Sequence, residues 1–428
     1  MGIKTSPRRP LRFAANQVRR PQLQPARCCT IAYKGLTSLA AMGDLVAAST
    51  SGDVEQVRVL LQAGIEPDAK DAYDALICAA MNGHEGVMQA LLEAGAEVDS
   101  KCNNAMTALM VAARLGHAGA MRVLLEAGAA VDSKSNHATT ALMVAAKYGQ
   151  AGAMLVLLEA GAEVDLRDPR GGTALVIAAN YGQAGAVRVL LEAGAAVDSI
   201  TDDNWQTALI MASFHGHTGA VQVLLAAGAE IGCKDKNGVA ALMCAASKGH
   251  EGVMQALLEA GAAADSIDDH EATALIRACN SGHTGAVQVL LAAGAAVDLK
   301  DQGGMTALMY ASELGHEGVV RVLLVAGAEV DLKDNLGQTA LLVAAEYGQA
   351  GAVRLLLGAR AAVNARPERL NCAGSRHRLR ESGCGAPAAG GGRRVAAPRA
   401  VPWPRRSSDA AAAVPSSGSA GGGSWAGR

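Results

Sequence analysis

Aromatic residues are scarce. The 428-residue chain holds six Tyr, three Trp and two Phe, and its 50% hydrophobic content is mostly Ala, Leu and Val. Small side chains suit a stack of short, closely spaced helices and suit a large single core less well. No run of 18 apolar residues occurs, so no transmembrane helix is expected. The nine cysteines are odd in number and scattered. Cys28 and Cys29 are adjacent, and Cys372 and Cys384 lie near the end. Cys78, Cys244 and Cys279 occupy apolar helix slots, where thiols act as small hydrophobes. No disulfide framework or zinc spacing results. A reducing compartment follows, the cytoplasm first, with the nucleus or an organelle as alternatives. The chain also lacks H-E-x-x-H, a P-loop, a nucleophile elbow and paired C-x-x-C. Neither catalysis nor a cofactor is expected.

Acidic residues are absent from residues 1–43, which carry eight Lys and Arg. Residues 44–365 reverse this, with 19 basic and 37 acidic side chains, a net of −18. Residues 366–428 hold 11 Arg against three acids, a net of +8. The N-terminal chemistry is that of an organelle transit peptide, but Ser is rare and Pro7, Pro10, Pro21 and Pro25 interrupt any amphipathic helix. A disordered basic leader, or a misassigned coding start, is the alternative. The acidic middle repels nucleic acid and anionic lipid and favours a basic or amphipathic protein segment.

What is abundant is repetition. TTALMVAAKYGQAGAMLVLLEAGAEVD around Thr140 returns as MTALMYASELGHEGVVRVLLVAGAEVD around Thr306. The Thr recurs at Thr107, Thr140, Thr173, Thr207, Thr273, Thr306 and Thr339, with Ala240 in the missing slot. A 33-residue period marks one supersecondary unit that buries its apolar face only against its neighbours. In the copy from Asp301 to Lys333, Thr306 is an N-cap. The first helix runs through Ala307–Ser312, and Gly315 ends it in the left-handed conformation. The second starts near Glu317, with Val319, Val322, Leu323 and Leu324 as its expected buried stripe, and Gly327 closes it. An extended, turn-like segment leads to the next copy.

The phrases T-A-L, A-A-x-x-G-H and V-x-x-L-L-x-x-G-A-x-V-D at this period resemble the ankyrin repeat. The resemblance implies an all-α solenoid of about ten helix-turn-helix units, spanning 44–365, with β-hairpin-like loops at right angles. Residues 1–43 and 366–428 are expected to be a disordered basic leader and a disordered Arg/Gly/Ala/Pro-rich tail. That tail is either a partner-binding linker or translated sequence beyond a truncated domain. The family's Pro at N1 is Ala here, and its His is Ile77, Met110, Met143, Val176, Ile210, Met243, Ile276, Met309 or Leu342. Apolar packing therefore replaces a polar tie. The first unit, Asp44–Asp71, resembles a capping repeat, and its loop is two residues short. The loop Asp198–Gln206 is one residue longer than its counterparts and carries Trp205.

Recurring His84-Glu85, His250-Glu251 and His316-Glu317 invite a metal or acid–base reading. Gln150, Gln183 and Gln349 take the same slot elsewhere, and a ligand would not exchange freely for Gln, so a structural role is favoured. The resemblance places a partner in a concave groove lined by loop tips and the exposed end of each first helix. The pair before each first Gly is Lys147-Tyr148, Asn180-Tyr181, Phe214-His215 and Glu346-Tyr347 in four copies. Four of the array's seven aromatics sit in this pair, and Trp205 is on an adjoining loop. Lys147, Tyr148, Asn180, Tyr181, Trp205, Phe214, His215 and Tyr347 are the candidate partner-binding residues. Asn136, His137, Arg170, Asp202, Asp203 and Asn204 on neighbouring loops add polar contacts. The competing reading is that the rings only cover Ala-rich helices.

A protein-binding scaffold or adaptor, expected as a monomer, is the leading function. The alternative is a regulatory fragment of a larger ankyrin-containing enzyme, channel or ubiquitin-ligase subunit. A structural spacer is the third option.

Overall fold

The structure is a computed structural model that describes residues 38–65, 72–102 and 104–363. The tail 366–428, the short loop after the first unit and most of the leader lie outside the described residues. The first helix, Ser38–Ser51, begins inside the segment assigned to that leader.

Twenty helices form ten antiparallel pairs among the described residues. Each first helix stacks on the first helix of the next unit, and each second helix on the next second helix. The array is thus two parallel helical layers sharing one continuous core, as expected when no unit can bury its face alone. Loops project from one side. The expected hairpins are reduced to single antiparallel bridges, Lys234–Ala240, Ile267–Thr273 and Lys300–Thr306.

The helices start and stop where local chemistry dictates. All seven of the repeated threonines cap their helix, each Oγ1 accepting the N–H three residues on at 3.3–3.4 Å. Ala240 has the same extended backbone but no side-chain cap. Gly116, Gly149, Gly216, Gly249 and Gly282 close first helices in the left-handed region. Gly216 is needed twice over, because a Cβ there would also sit 2.6 Å from the His250 ring.

The slot where the family's His is replaced is buried core: Met110, Ile210, Met243 and Met309 are each 1% exposed. In the unit of Glu317–Val325 the stripe differs from expectation. Val319, Val320 and Leu323 are fully buried, while Val322 and Leu324 are half-buried. The second helix is wedged between its own first helix and two neighbouring second helices, so its inward edge is wide and the outer two residues flank it. In the last helix, Ala350–Gly358, only Leu356 of the Leu triplet is fully buried, and Leu357 is exposed.

Three sets of polar contacts tie unit to unit. The Asp of each V-D phrase accepts a backbone N–H from the next unit, at 2.8–3.2 Å. The pairs run from Asp99–Ala130 through Asp132–Glu163, Asp165–Ala196, Asp198–Glu230, Asp265–Ala296 and Asp298–Glu329 to Asp331–Ala362. Gly232 stands where the Asp should be between Asp198 and Asp265. A cavity of about 190 Å³ opens at that seam, lined by Gly232, Ala240, Met243, Ala263 and their neighbours. Loop tips are linked by backbone bonds such as Asp202 N–H to Arg170 C=O at 2.9 Å and Lys236 N–H to Asn204 C=O at 3.1 Å. The third set reaches the candidate site.

Candidate functional site: the ends of the first helices

The third set starts from the His or Gln before each second helix. His117, His217 and His250 place Nε2 3.0–3.2 Å from the carbonyls of Met81, Asn180 and Phe214. Gln150, Gln183 and Gln349 donate through Nε2 to the carbonyls of Arg114, Lys147 and Glu313. His and Gln are interchangeable because each presents one side-chain N–H at the same reach. The structural reading of the His slot is thus the observed one. Among the described residues no group of three His, Cys, Asp or Glu is placed to hold a metal.

Every carbonyl so held belongs to the first residue of the pair before the Gly. The next unit therefore clamps the backbone from which the candidate side chains project. Their presentation is set by the core, not by a free loop.

Tyr148 and Tyr181 are 38% and 41% exposed and stand on consecutive units. Lys147 Nζ lies 5.8 Å from the centre of the Tyr148 ring and 4.9 Å from that of Tyr181. The Arg114 guanidinium, one unit earlier, lies 5.0 Å over Tyr148. Cations and rings thus alternate across three units: Arg114, Tyr148, Lys147, Tyr181. Each contact is favourable because the ring face is electron-rich, contributing about 0.5–1 kcal/mol at such exposed sites.

The next unit continues the strip with Phe214, half-buried against the core. Lys248 Nζ, from the following unit, sits 4.6 Å over its ring, and His215 meets it edge-on at 5.0 Å. His215 also stacks on His217 at 5.9 Å. Burial, then the neighbours His217, His250 and Lys248, push the His215 pKa below its ordinary 6.5. His250 is lowered too, first by burial and then by His217, His283 and Lys248, against the Phe214 carbonyl that raises it. At neutral pH both imidazoles are uncharged.

Asn180 ends the Ala174–Asn180 helix, next to Tyr181. Its carbonyl is clamped by His217, and its buried side-chain Oδ1 has no hydrogen-bond partner among the described residues. Trp205, on the loop entering the Ala208–His215 helix, is 52% exposed and has φ +55°. The equivalent position two residues before the cap is Gly171, Gly238, Gly304 and Gly337 in other units, all left-handed. In most units an Asp such as Asp168 accepts from two loop N–H groups, at 2.9 and 2.7 Å. Here Thr201 replaces it, pairing with Gln206 across five residues. In this loop, one residue longer than its neighbours, Trp205 stands exposed at that position.

Tyr347 is exposed but stands on the last unit, four units beyond Phe214, so it is not part of this cluster. Lys147, Tyr148, Asn180, Tyr181, Phe214 and His215 are brought onto one strip. Arg114 and Lys248 belong to it and were missed as site residues, although both are basic members of the same pair.

Five overlapping matches to the family described as ankyrin repeats (3 copies) cover residues 45–135, 76–168, 142–235, 216–301 and 286–367. Among solved structures, the human ASB11 ankyrin repeat domain is similar at 28% identity and a TM-score of 0.48, over 52% of this chain and 98% of that one. No curated protein matches the chain by sequence. Ankyrin repeats are generally protein-interaction modules. With contiguous family matches from residue 45 to residue 367 and ten stacked helix pairs beneath them, this chain belongs to the ankyrin-repeat family.

Proposed function

We propose that this chain is a scaffold or adaptor that binds a partner protein along the strip from Arg114 to Lys248. The observation that carries the reading is the run of rings on consecutive, clamped first-helix ends: exposed Tyr148 and Tyr181, then half-buried Phe214. Among the described residues, Tyr148, Tyr181, Trp205 and Tyr347 are exposed, whereas Phe214 and Tyr310 pack partly against the core. Rings on a rigid frame lose little conformational freedom on binding, which makes them efficient anchors. Tyr347 is a separate, distal contact in this reading.

The test is the double variant Tyr148→Ala, Tyr181→Ala in the full chain. Partner capture is expected to be lost while the thermal midpoint moves by only a few degrees, since exposed side chains contribute little to folding. Retained capture, or collapse of the fold with loss of capture, would show that the rings serve the array instead.

A further inference from the structure

We infer that the segment this strip accepts is acidic, a run of Asp and Glu punctuated by apolar residues. The inference deepens the proposed protein-binding function and rests on it.

The array's net charge points the other way, but it is an average over surfaces that differ. None of the five first helices from Ala108–Leu115 to Ala241–Lys248 contains an Asp or Glu. Their exposed ends carry Arg114, Lys147 and Lys248. The acids of the same units are elsewhere. Glu126, Glu159, Glu192 and Glu259 end second helices. Asp132, Asp165 and Asp198 are used in the ladder between units. Acidic side chains reach first-helix ends only at Glu313 and Glu346.

Among the described residues the three cations have rings for neighbours and form no ion pair. Ion pairs among the described residues are Arg58–Glu55, Arg167–Asp202 and Arg277–Asp268, none on the strip. A cation held over a ring keeps its remaining N–H groups turned outward, where a carboxylate can accept them. Rings at one-unit intervals between these cations offer seats for apolar side chains. Screening over roughly 8 Å at physiological salt lets a partner feel this local positive strip despite the distant acids. A nucleic acid would have to bring a continuous polyanion past those acids, which disfavours it.

The experiment uses the full chain and three fluorescein-labelled probes: a peptide repeating Glu-Glu-Leu, one repeating Lys-Lys-Leu, and a single-stranded oligonucleotide of similar length. Anisotropy is read across a salt series. The acidic peptide is expected to bind tightest, and Arg114→Glu with Lys147→Glu and Lys248→Glu is expected to weaken it at least about tenfold. Glu313→Lys with Glu346→Lys should not weaken it. Circular dichroism and the thermal midpoint verify that each variant is folded. Undiminished binding of the acidic peptide to the triple variant would place it on the basic chain ends and overturn the inference. Tighter binding of the Lys peptide or of the oligonucleotide would overturn it as well. If the Lys peptide is the one captured, and Tyr148→Ala with Tyr181→Ala abolishes that capture, the strip stands as the binding surface and only its acidic preference fails. If no probe depends on those tyrosines, the strip itself fails.

Discussion

Lys147 and Tyr181 lie on consecutive units, and the lysine Nζ stands 4.9 Å from the centre of the tyrosine ring. The contact crosses a unit boundary, and Gln183 of the second unit clamps the Lys147 carbonyl at the same boundary. Side chain and backbone of one residue are thus both held by the next unit. A double-mutant cycle with Lys147→Met and Tyr181→Leu should give a coupling of about 0.5–1 kcal/mol, measured by denaturant unfolding. A coupling indistinguishable from zero would mean the ring and cation are merely adjacent.

The seam between the units of Ala208–His215 and Ala241–Lys248 lacks two recurring side chains at once. Gly232 cannot supply the carboxylate that seven other copies offer to the next unit, and Ala240 cannot cap. Space exists for the missing group, because a Cβ at Gly232 would meet nothing within 4 Å. Gly232→Asp and Ala240→Thr are each expected to stabilise the array by about 1 kcal/mol. In the parent chain, amides of residues 235–248 should exchange faster than those of both flanking units. Equal protection on either side of the seam would show that packing alone holds it.

Trp205 combines an exposed indole with a backbone angle that favours glycine. A bulky residue in that region costs on the order of 1 kcal/mol. Trp205→Gly should therefore leave stability unchanged or raise it by up to about 1 kcal/mol, while weakening partner capture. A large fall in the unfolding midpoint would instead assign the indole to packing.

Acidification separates stability from binding. His215 and His250 titrate below 6.5 in the folded chain, so as pH falls under about 6.5 the unfolded chain gains protons that the folded chain does not. Stability should fall in that window, and neutral glutamine at both positions should flatten the fall. An acidic segment beside His215 favours its imidazolium, competing with His217, His250 and Lys248 that disfavour it. Affinity for the Glu-Glu-Leu peptide should therefore rise over the same interval. Parallel losses of stability and affinity would contradict this arrangement.

A buried carboxylate offers a check on the loops. The Asp268 side chain is fully buried, its Oδ1 accepting from His270 and Ala272 N–H at 2.8 and 2.9 Å, its Oδ2 paired with Arg277. Arg277→Met leaves that charge unpaired and should cost about 3 kcal/mol. A loss under about 1 kcal/mol in urea unfolding would mean the two N–H bonds suffice.

How much of this was legible beforehand follows from which signals are local. Thr caps, closing glycines and the 33-residue period lie within one unit, and each appears where the spacing put it. The Asp ladder does not. Its V-D signature recurs in six copies, but its role needs the N–H of a residue 31 positions away. For the same reason the replacement at Gly232 passed unnoticed, whereas the absent cap at Ala240 was plain. Tyr148, Tyr181 and Phe214 were identifiable from slot and scarcity. Arg114 and Lys248 were not, because their significance lies in rings on a different unit.

The central claim, that partners bind on the first-helix ends, is tested most directly by site-specific photocrosslinking in cells. A photoreactive residue is placed at Tyr181, on the strip, and separately at Val325, which is 85% exposed on a second helix. The account predicts a protein adduct at position 181, diminished by charge reversal of Arg114, Lys147 and Lys248, and none at position 325. An adduct at 325 with none at 181 would contradict it.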